Sequence, residues 1–320
     1  MKSKNKDQFR TVFEPVEANR KITHKESVFF IGSCFSTHVS GRMKNAGFQI
    51  TANPFGVLFN PVSVSRALRM IGTLKKFRKQ DFFHHDGLWH HFHLHGELSK
   101  TDLDSAYSSA NEMIENSNRA LMSAGTLVIT LGTAWVHEEI DTERIVANCH
   151  KLPGKQFRKR KLGVNEIISD FSRLLEHLFN VNPGIRIIFT ISPVRHLSDG
   201  FVENQWSKST LNIAIHELIR RFEQTEYFPA YELIIDDLRD YRFYNSDMIH
   251  PNDQAADYVW NIFRKTYFDE YTEKLASEAE AYHLSIQHRA IHPDTEAHRK
   301  FIAQRTKEGD RIKKLLPWLV

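Results

Sequence analysis

Three runs of β-branched and aromatic residues, 28–31, 127–131 and 185–191, each break off at a glycine, a serine or a proline, and segments with helical spacing separate them. That alternation constrains the fold more than any other feature of the chain. Apolar runs of this length match strands buried on both faces. Strands of that kind alternating with helices of ten to twenty residues specify an α/β fold, a parallel sheet covered on both sides. Helical spacing runs over 36–47, where Val39, Met43 and Ala46 share a face and Gly47 stops the segment. Residues 48–51 read as a second strand and Asn53-Pro54-Phe55-Gly56 as a turn. Asn60-Pro61 opens a helix over 62–73, with proline near its start. Further helices are expected over 106–122, 164–179, 207–226 and 258–268, and 233–235 reads as a short fifth strand. From residue 269 the composition turns to Glu, Lys, Ala, His and Arg. The expected organisation is one domain over 1–268 and a helical C-terminal extension over 269–320, broken at Pro293.

In open parallel sheets, ligands bind beyond the carboxyl ends of the strands. Gly32-Ser33-Cys34, Gly132-Thr133 and Ser192-Pro193 all fall at such ends, so three separate segments should line one cleft. The first of them delivers two nucleophiles, Ser33 and Cys34. More than two hundred residues later comes Asp247-Met248-Ile249-His250-Pro251. A carboxylate three positions before an imidazole can hydrogen-bond its Nδ1, which fixes the tautomer and leaves Nε2 for a nucleophile. Alone, this spacing describes a capping aspartate and a surface histidine equally well. After a strand that ends in Gly-Ser-Cys it points to acyl transfer.

With 320 residues the chain can bury a full core. Its two cysteines, Cys34 and Cys149, make no disulfide framework, and a reduced compartment is the default. The polar N-terminus shows no signal peptide, and no apolar run approaches the roughly 18 residues of a membrane span. The expectation is a cytoplasmic protein with no membrane partner. A net charge of +4 suits an acidic or sugar-linked ligand. The basic run 157–161 reads as a solvated helix start; with no aromatic platform beside it, no nucleic-acid partner is expected. His91, His93 and His95 alternate with aromatics, as on one face of a strand, and three imidazoles can hold zinc. They lack a companion carboxylate, so a cleft-lining face is the preferred reading and neither metal nor cofactor is expected. Asn148-Cys149-His150 either positions a ligand or belongs to the core. The alternating charges of 236–242 suggest ion pairs that hold the loop carrying Asp247 and His250.

Gly32-Ser33-Cys34-Phe35, Asn53-Pro54-Phe55-Gly56, Asn148-Cys149-His150-Lys151, Ser192-Pro193-Val194-Arg195-His196 and the run from Asp236 to Tyr244 together resemble the GSCFA-domain family, placed in the SGNH (GDSL-like) hydrolase superfamily. The resemblance extends over roughly residues 25–265. It implies a three-layer α/β/α sandwich with a mainly parallel, flavodoxin-like five-stranded sheet. It also implies esterase-type removal of an acyl group such as acetyl from a carbohydrate or small-molecule ester. Laid without a gap on the superfamily's Gly-Asp-Ser-Leu block, Gly32 matches glycine, Ser33 falls on aspartate and Cys34 on the nucleophile. A shift of one residue makes Ser33 the nucleophile, and both stay open, with a lean to Cys34. The superfamily's Gly-x-Asn oxyanion donor is absent at Gly132-Thr133-Ala134, so Thr133 together with Asn53 or Gly56 is expected to replace it, with His196 facing the cleft. Two other readings follow: an inactive glycan- or ligand-binding module of the same fold, and a zinc-dependent enzyme using residues 84–95. The extension is expected either to form a homodimer or to cover the cleft.

Overall fold

The first apolar run becomes β1 (Ser27–Gly32), buried from Val28 onward, and leads into α1 (Cys34–Asn45). This is a computed structural model, and it describes residues 11–288 and 291–319. β2 (Gln49–Ala52) runs parallel to β1, with Val28 opposite Ile50. α2 (Pro61–Gly72) starts on Asn60, whose side chain accepts from the Ser63 N–H, and Pro61 fills a position that needs no donor. An antiparallel hairpin, β3 (Phe83–His85) with β4 (Leu88–His90), precedes the long α3 (Leu103–Ser123). Next comes β5 (Ala124–Leu131). A small antiparallel sheet of β6 (Trp135–Glu139), β7 (Ile145–Val146) and β8 (Phe157–Lys161) is inserted before α4 (Val164–Val181). The chain then alternates β9 (Arg186–Ile191), α5 (Phe201–Arg221) and β10 (Thr225–Tyr227). A single turn, α6 (Ala230–Glu232), runs into a π-helical segment, Leu233–Leu238, and α7 (Asp253–Tyr267), α8 (Glu270–Gln287) and α9 (Glu296–Leu315) close the chain.

The central sheet has the spatial order β2-β1-β5-β9-β10, and its neighbouring strands pair in parallel. Taken in chain order its five strands read 2-1-3-4-5, the flavodoxin-like arrangement. Side chains alternate across β1. Phe29 and Ile31 pack with Leu68, Ile114, Phe171 and Leu211 of α2 to α5, while Val28 and Phe30 pack with Val39 of α1 and Phe263 of α7. The result is three layers with two cores. Winding reverses between β1 and β5, and the crevice this leaves lies beyond their carboxyl ends.

Two sequence expectations are corrected here. The fifth strand is β10, not 233–235: Leu233 and Ile234 are buried within the π-helical turn against the α1–α7 core. A three-residue apolar run carries no period that separates a strand from a buried turn. The basic run 157–161 is a strand rather than a helix start. Arg158 pairs across to Glu138 of β6, and Arg160 bonds both Glu138 and Glu166, so its charges satisfy a buried carboxylate. In the C-terminal segment α8 and α9 pack through Leu275, Ala279, Ile312 and Leu316, and the Trp318 indole donates to the Gly47 carbonyl at 2.8 Å. No helix among the described residues is long and apolar enough to cross a membrane.

Candidate active site

The end of β1 is shaped by Gly32. Its φ of +137° belongs to glycine, and a Cβ there would lie 2.0 Å from the Thr130 carbonyl oxygen. The Gly32 N–H donates to Asn53 Oδ1 at 2.8 Å and the Ser33 N–H to Thr130 O at 3.0 Å. Ser33 is therefore the last residue held by the sheet and the N-cap of α1, and Cys34 is the first helical residue. Ser33 Oγ is buried without a hydrogen-bond partner, whereas Cys34 is partly open. Burial raises the thiol's pKa. The Cys34 and Phe35 N–H groups and the charge of Lys208 pull the other way without overcoming burial. The sulfur is thus a thiol at neutral pH and needs a base.

The base is offered by a loop whose geometry Asp247 sets. Asp247 Oδ1 accepts from the N–H groups of Ile249 (2.9 Å) and His250 (3.0 Å), while Oδ2 accepts from His250 Nδ1 at 2.7 Å. Those donors, the backbone ones first, hold the Asp247 pKa at about 2. Met248, between them, takes a left-handed φ of +58°. The Arg195 N–H donates to the Ile249 carbonyl, which ties this loop to the end of β9. His250 keeps Nε2 for other chemistry.

Ser33, Cys34, Arg195, His196 and His250 line one pocket of about 420 Å³, with Val57 and Phe59 on its apolar side. The remaining predicted positions sit around it with their polar groups engaged. Asn53, at φ +43°, braces Gly32 through Oδ1 and donates to Thr37 Oγ1 at 3.1 Å through Nδ2. The Gly56 N–H donates to Asn53 O, and a Cβ on Gly56 would lie 2.2 Å from that of His95. The N–H groups of Gly132 and Thr133 both donate to Phe59 O, at 2.8 and 3.0 Å, and Thr133 Oγ1 pairs with Ser207 Oγ. His196 packs edge-on to Phe59, and burial, then the charge of Lys208, lowers its pKa to about 4, so it is neutral.

Lys208 escaped the sequence reading. Its ammonium is 2% exposed and donates to Gly132 O and Ser192 O, both at 2.7 Å, so it bridges the ends of β5 and β9 beneath the pocket. Burial lowers its pKa to about 7, opposed by its attraction for the thiolate form of Cys34. A signal was present: Lys208 stands three and seven residues before the apolar Leu211 and Ile215, on the buried stripe of α5.

The histidine-rich segment departs from its expected form. β4 ends at His90, so His91, His93 and His95 lie in a turn rather than on a strand face. His91 and His93 are committed locally: His91 Nδ1 accepts from the His93 N–H, His93 Nδ1 meets Arg66 Nη1 at 3.2 Å, and His91 packs edge-on to Phe77 and Phe82. His95 lines the pocket with Cys34 and His250, as a cleft-lining residue. No group of three or more His, Cys, Asp or Glu side chains among the described residues could hold a metal ion.

A flavodoxin-like parallel sheet, with a thiol at a helix start and an aspartate-oriented imidazole lining one pocket at its switch point, defines a doubly wound α/β protein. Within that class the chain belongs to the GSCFA family, whose model matches residues 27–263. No curated protein matches it at a significant level. Among the solved structures similar at low level are three carbohydrate esterases. The first is a carbohydrate esterase family 2 enzyme plus carbohydrate binding domain from Corynascus thermopiles (Myceliophthora fergusii), at 10% identity and a TM-score of 0.38, covering 83% of this chain and 68% of that one. A Clostridium thermocellum family 3 carbohydrate esterase has 10% identity and a TM-score of 0.35, covering 78% and 98%. A carbohydrate esterase family 3 from Talaromyces cellulolyticus has 8% identity and a TM-score of 0.37, covering 79% and 99%. Likenesses at this level carry nothing about activity or substrate.

Proposed function

We propose that the protein hydrolyses acyl esters, acetyl esters of carbohydrates or small molecules among them, with Cys34 as nucleophile. The observation that carries this reading is the placement of Cys34 and His250 in one pocket, with His250 Nδ1 held at 2.7 Å by Asp247. His250 Nε2 takes the thiol proton as Sγ attacks the acyl carbonyl carbon. The imidazolium then returns that proton to the leaving alkoxide, which leaves a thioester on Cys34. Water, deprotonated by the same nitrogen, attacks the thioester; the acid departs and the thiol is restored. Negative charge on the carbonyl oxygen develops beside the Cys34 and Phe35 N–H groups at the start of α1. Ser33 serves as cap and wall: its N–H is held by Thr130 and its hydroxyl is buried.

The test is p-nitrophenyl acetate hydrolysis by wild type, Cys34→Ala, Ser33→Ala and His250→Ala. Loss of turnover in the cysteine and histidine variants supports the reading, and equal rates in all four remove it. One observation favours a binding module instead: the Gly132 and Thr133 N–H groups are engaged by Phe59 O and offer no donor as they stand. Under that reading wild type binds glycan esters and turns over none of the esters offered.

A further inference from the structure

Arg195 stands in the wall of the catalytic pocket and also lines a second pocket of about 270 Å³, formed with Arg239, Tyr241, Tyr244 and one carboxylate, Asp240, which pairs with Arg242. Arg195 is the unusual cation of this region. Arg239 pairs with Asp236 and Arg242 with Asp240. Among the described residues no carboxylate pairs with Arg195; its side chain hydrogen-bonds the Tyr231 phenol, and its buried Nε–H meets no acceptor. Its charge reaches the phenols of Tyr231 and Tyr244 on one side and the ammonium of Lys208 on the other. Among the described residues no acidic side chain lines the catalytic pocket. The backbone of Arg195 is anchored by its N–H on Ile249 O, one residue from His250, which ties the segment carrying the guanidinium to the segment carrying the base.

Arg195 is half-buried, and its one buried donor without an acceptor, Nε–H, is costly to leave unpaired. Its planar fork matches a carboxylate or a phosphate in two parallel hydrogen bonds. We infer that Arg195 selects an anionic substrate: the carboxylate or phosphate of the ester occupies the second pocket while its acyl group lies against Cys34. This rests on the ester-hydrolase reading for the second half of the statement only, since anion binding is measurable without turnover.

Hydrolysis-resistant amides separate the two. Calorimetric titration of the full chain with 4-acetamidobenzoate, 4-acetamidophenyl phosphate and neutral acetanilide compares a carboxylate, a phosphate and no charge on one scaffold. At least one anion should bind 10- to 100-fold tighter than acetanilide, the span of a hydrogen-bonded charge pair. Whichever anion wins names the chemistry of the substrate. Arg195→Ala should abolish the preference. Arg195→Gln, which keeps the stem and guards against misfolding, should abolish it too, and Arg195→Lys should keep part of it. Equal binding of all three compounds, or a preference that survives Arg195→Gln in a protein with the wild-type melting temperature, overturns the inference. A preference for an anion in a protein that hydrolyses no ester leaves the subsite standing and removes the hydrolase reading.

Discussion

Replacing Lys208 by methionine tests whether a charge sits beneath the pocket. The ammonium is fully buried and its pKa falls from 10.5 to about 7, chiefly through desolvation. A fall of that size corresponds to about 5 kcal/mol of penalty carried by the folded state. The sign follows from proton counts. Below pH 7 both folded and unfolded chains hold the proton, and the folded state bears the whole penalty. As pH rises through the folded value, the native lysine sheds its proton while the unfolded one keeps it. Stability from this group therefore rises with pH until the unfolded pKa near 10.5 is reached. Between pH 7 and pH 9 the gain is about 2 kcal/mol. Lys208→Met lacks the term, and its loss of donors to Gly132 O and Ser192 O shifts its stability by an amount independent of pH. Urea unfolding of both proteins at half-unit intervals over this range, with equal m-values, isolates the difference. That difference, wild type minus variant, should climb by about 2 kcal/mol. A flat or falling difference refutes the buried-ammonium reasoning.

Gly32→Ala should cost at least about 3 kcal/mol, because the new Cβ would lie 2.0 Å from Thr130 O in a backbone conformation unsuited to L side chains; a urea midpoint within error of wild type would contradict this. Iodoacetamide at pH 6, where the Lys208 ammonium is still charged, should label Cys34 faster than Cys149 in wild type, and Lys208→Met should slow Cys34, since the lysine's charge opposes the burial that raises the thiol; mass spectrometry of timed samples reads both rates. Asp247→Asn should lower kcat by about 10²- to 10⁴-fold with little change in KM, as it misorients the imidazole, and a larger effect on KM than on kcat would count against Asp247 as an orienting group.

How much of this was legible in the sequence follows from where each residue's signal lies. The parallel sheet was readable because β1, β5 and β9 are buried on both faces and so appear as continuous apolar runs. β10 was hidden because an edge strand of three residues is no longer than noise in a helical pattern. The β6–β7–β8 sheet was hidden because its strands are half-buried and one of them is built from charges, with Arg158 and Arg160 needed by Glu138 twenty residues away in the chain. Asp247 and His250 were readable because their interaction is local, three residues apart and made within one turn.

The two candidate nucleophiles show the limit of reading spacing alone: Ser33 and Cys34 are neighbours of similar chemistry, and register against the superfamily block gave only a lean to Cys34. What separates them is Thr130, ninety-odd residues on in the chain, whose carbonyl forces glycine at position 32 and captures the Ser33 N–H. That pairing extends the sheet by one residue and starts the helix at the next, so the cysteine falls where the first-turn N–H groups converge and the serine falls where the cap belongs. Which of the two neighbours caps the helix and which opens its first turn is thus a property of the neighbouring strand. The same holds for Lys208, which makes sense only once the ends of β5 and β9 are side by side and present two carbonyls to one ammonium. An ionisable residue on the buried stripe of a helix that covers a parallel sheet is therefore the signal to follow, because burial without a partner is too costly to persist, and here its partners are the strand ends that form the pocket.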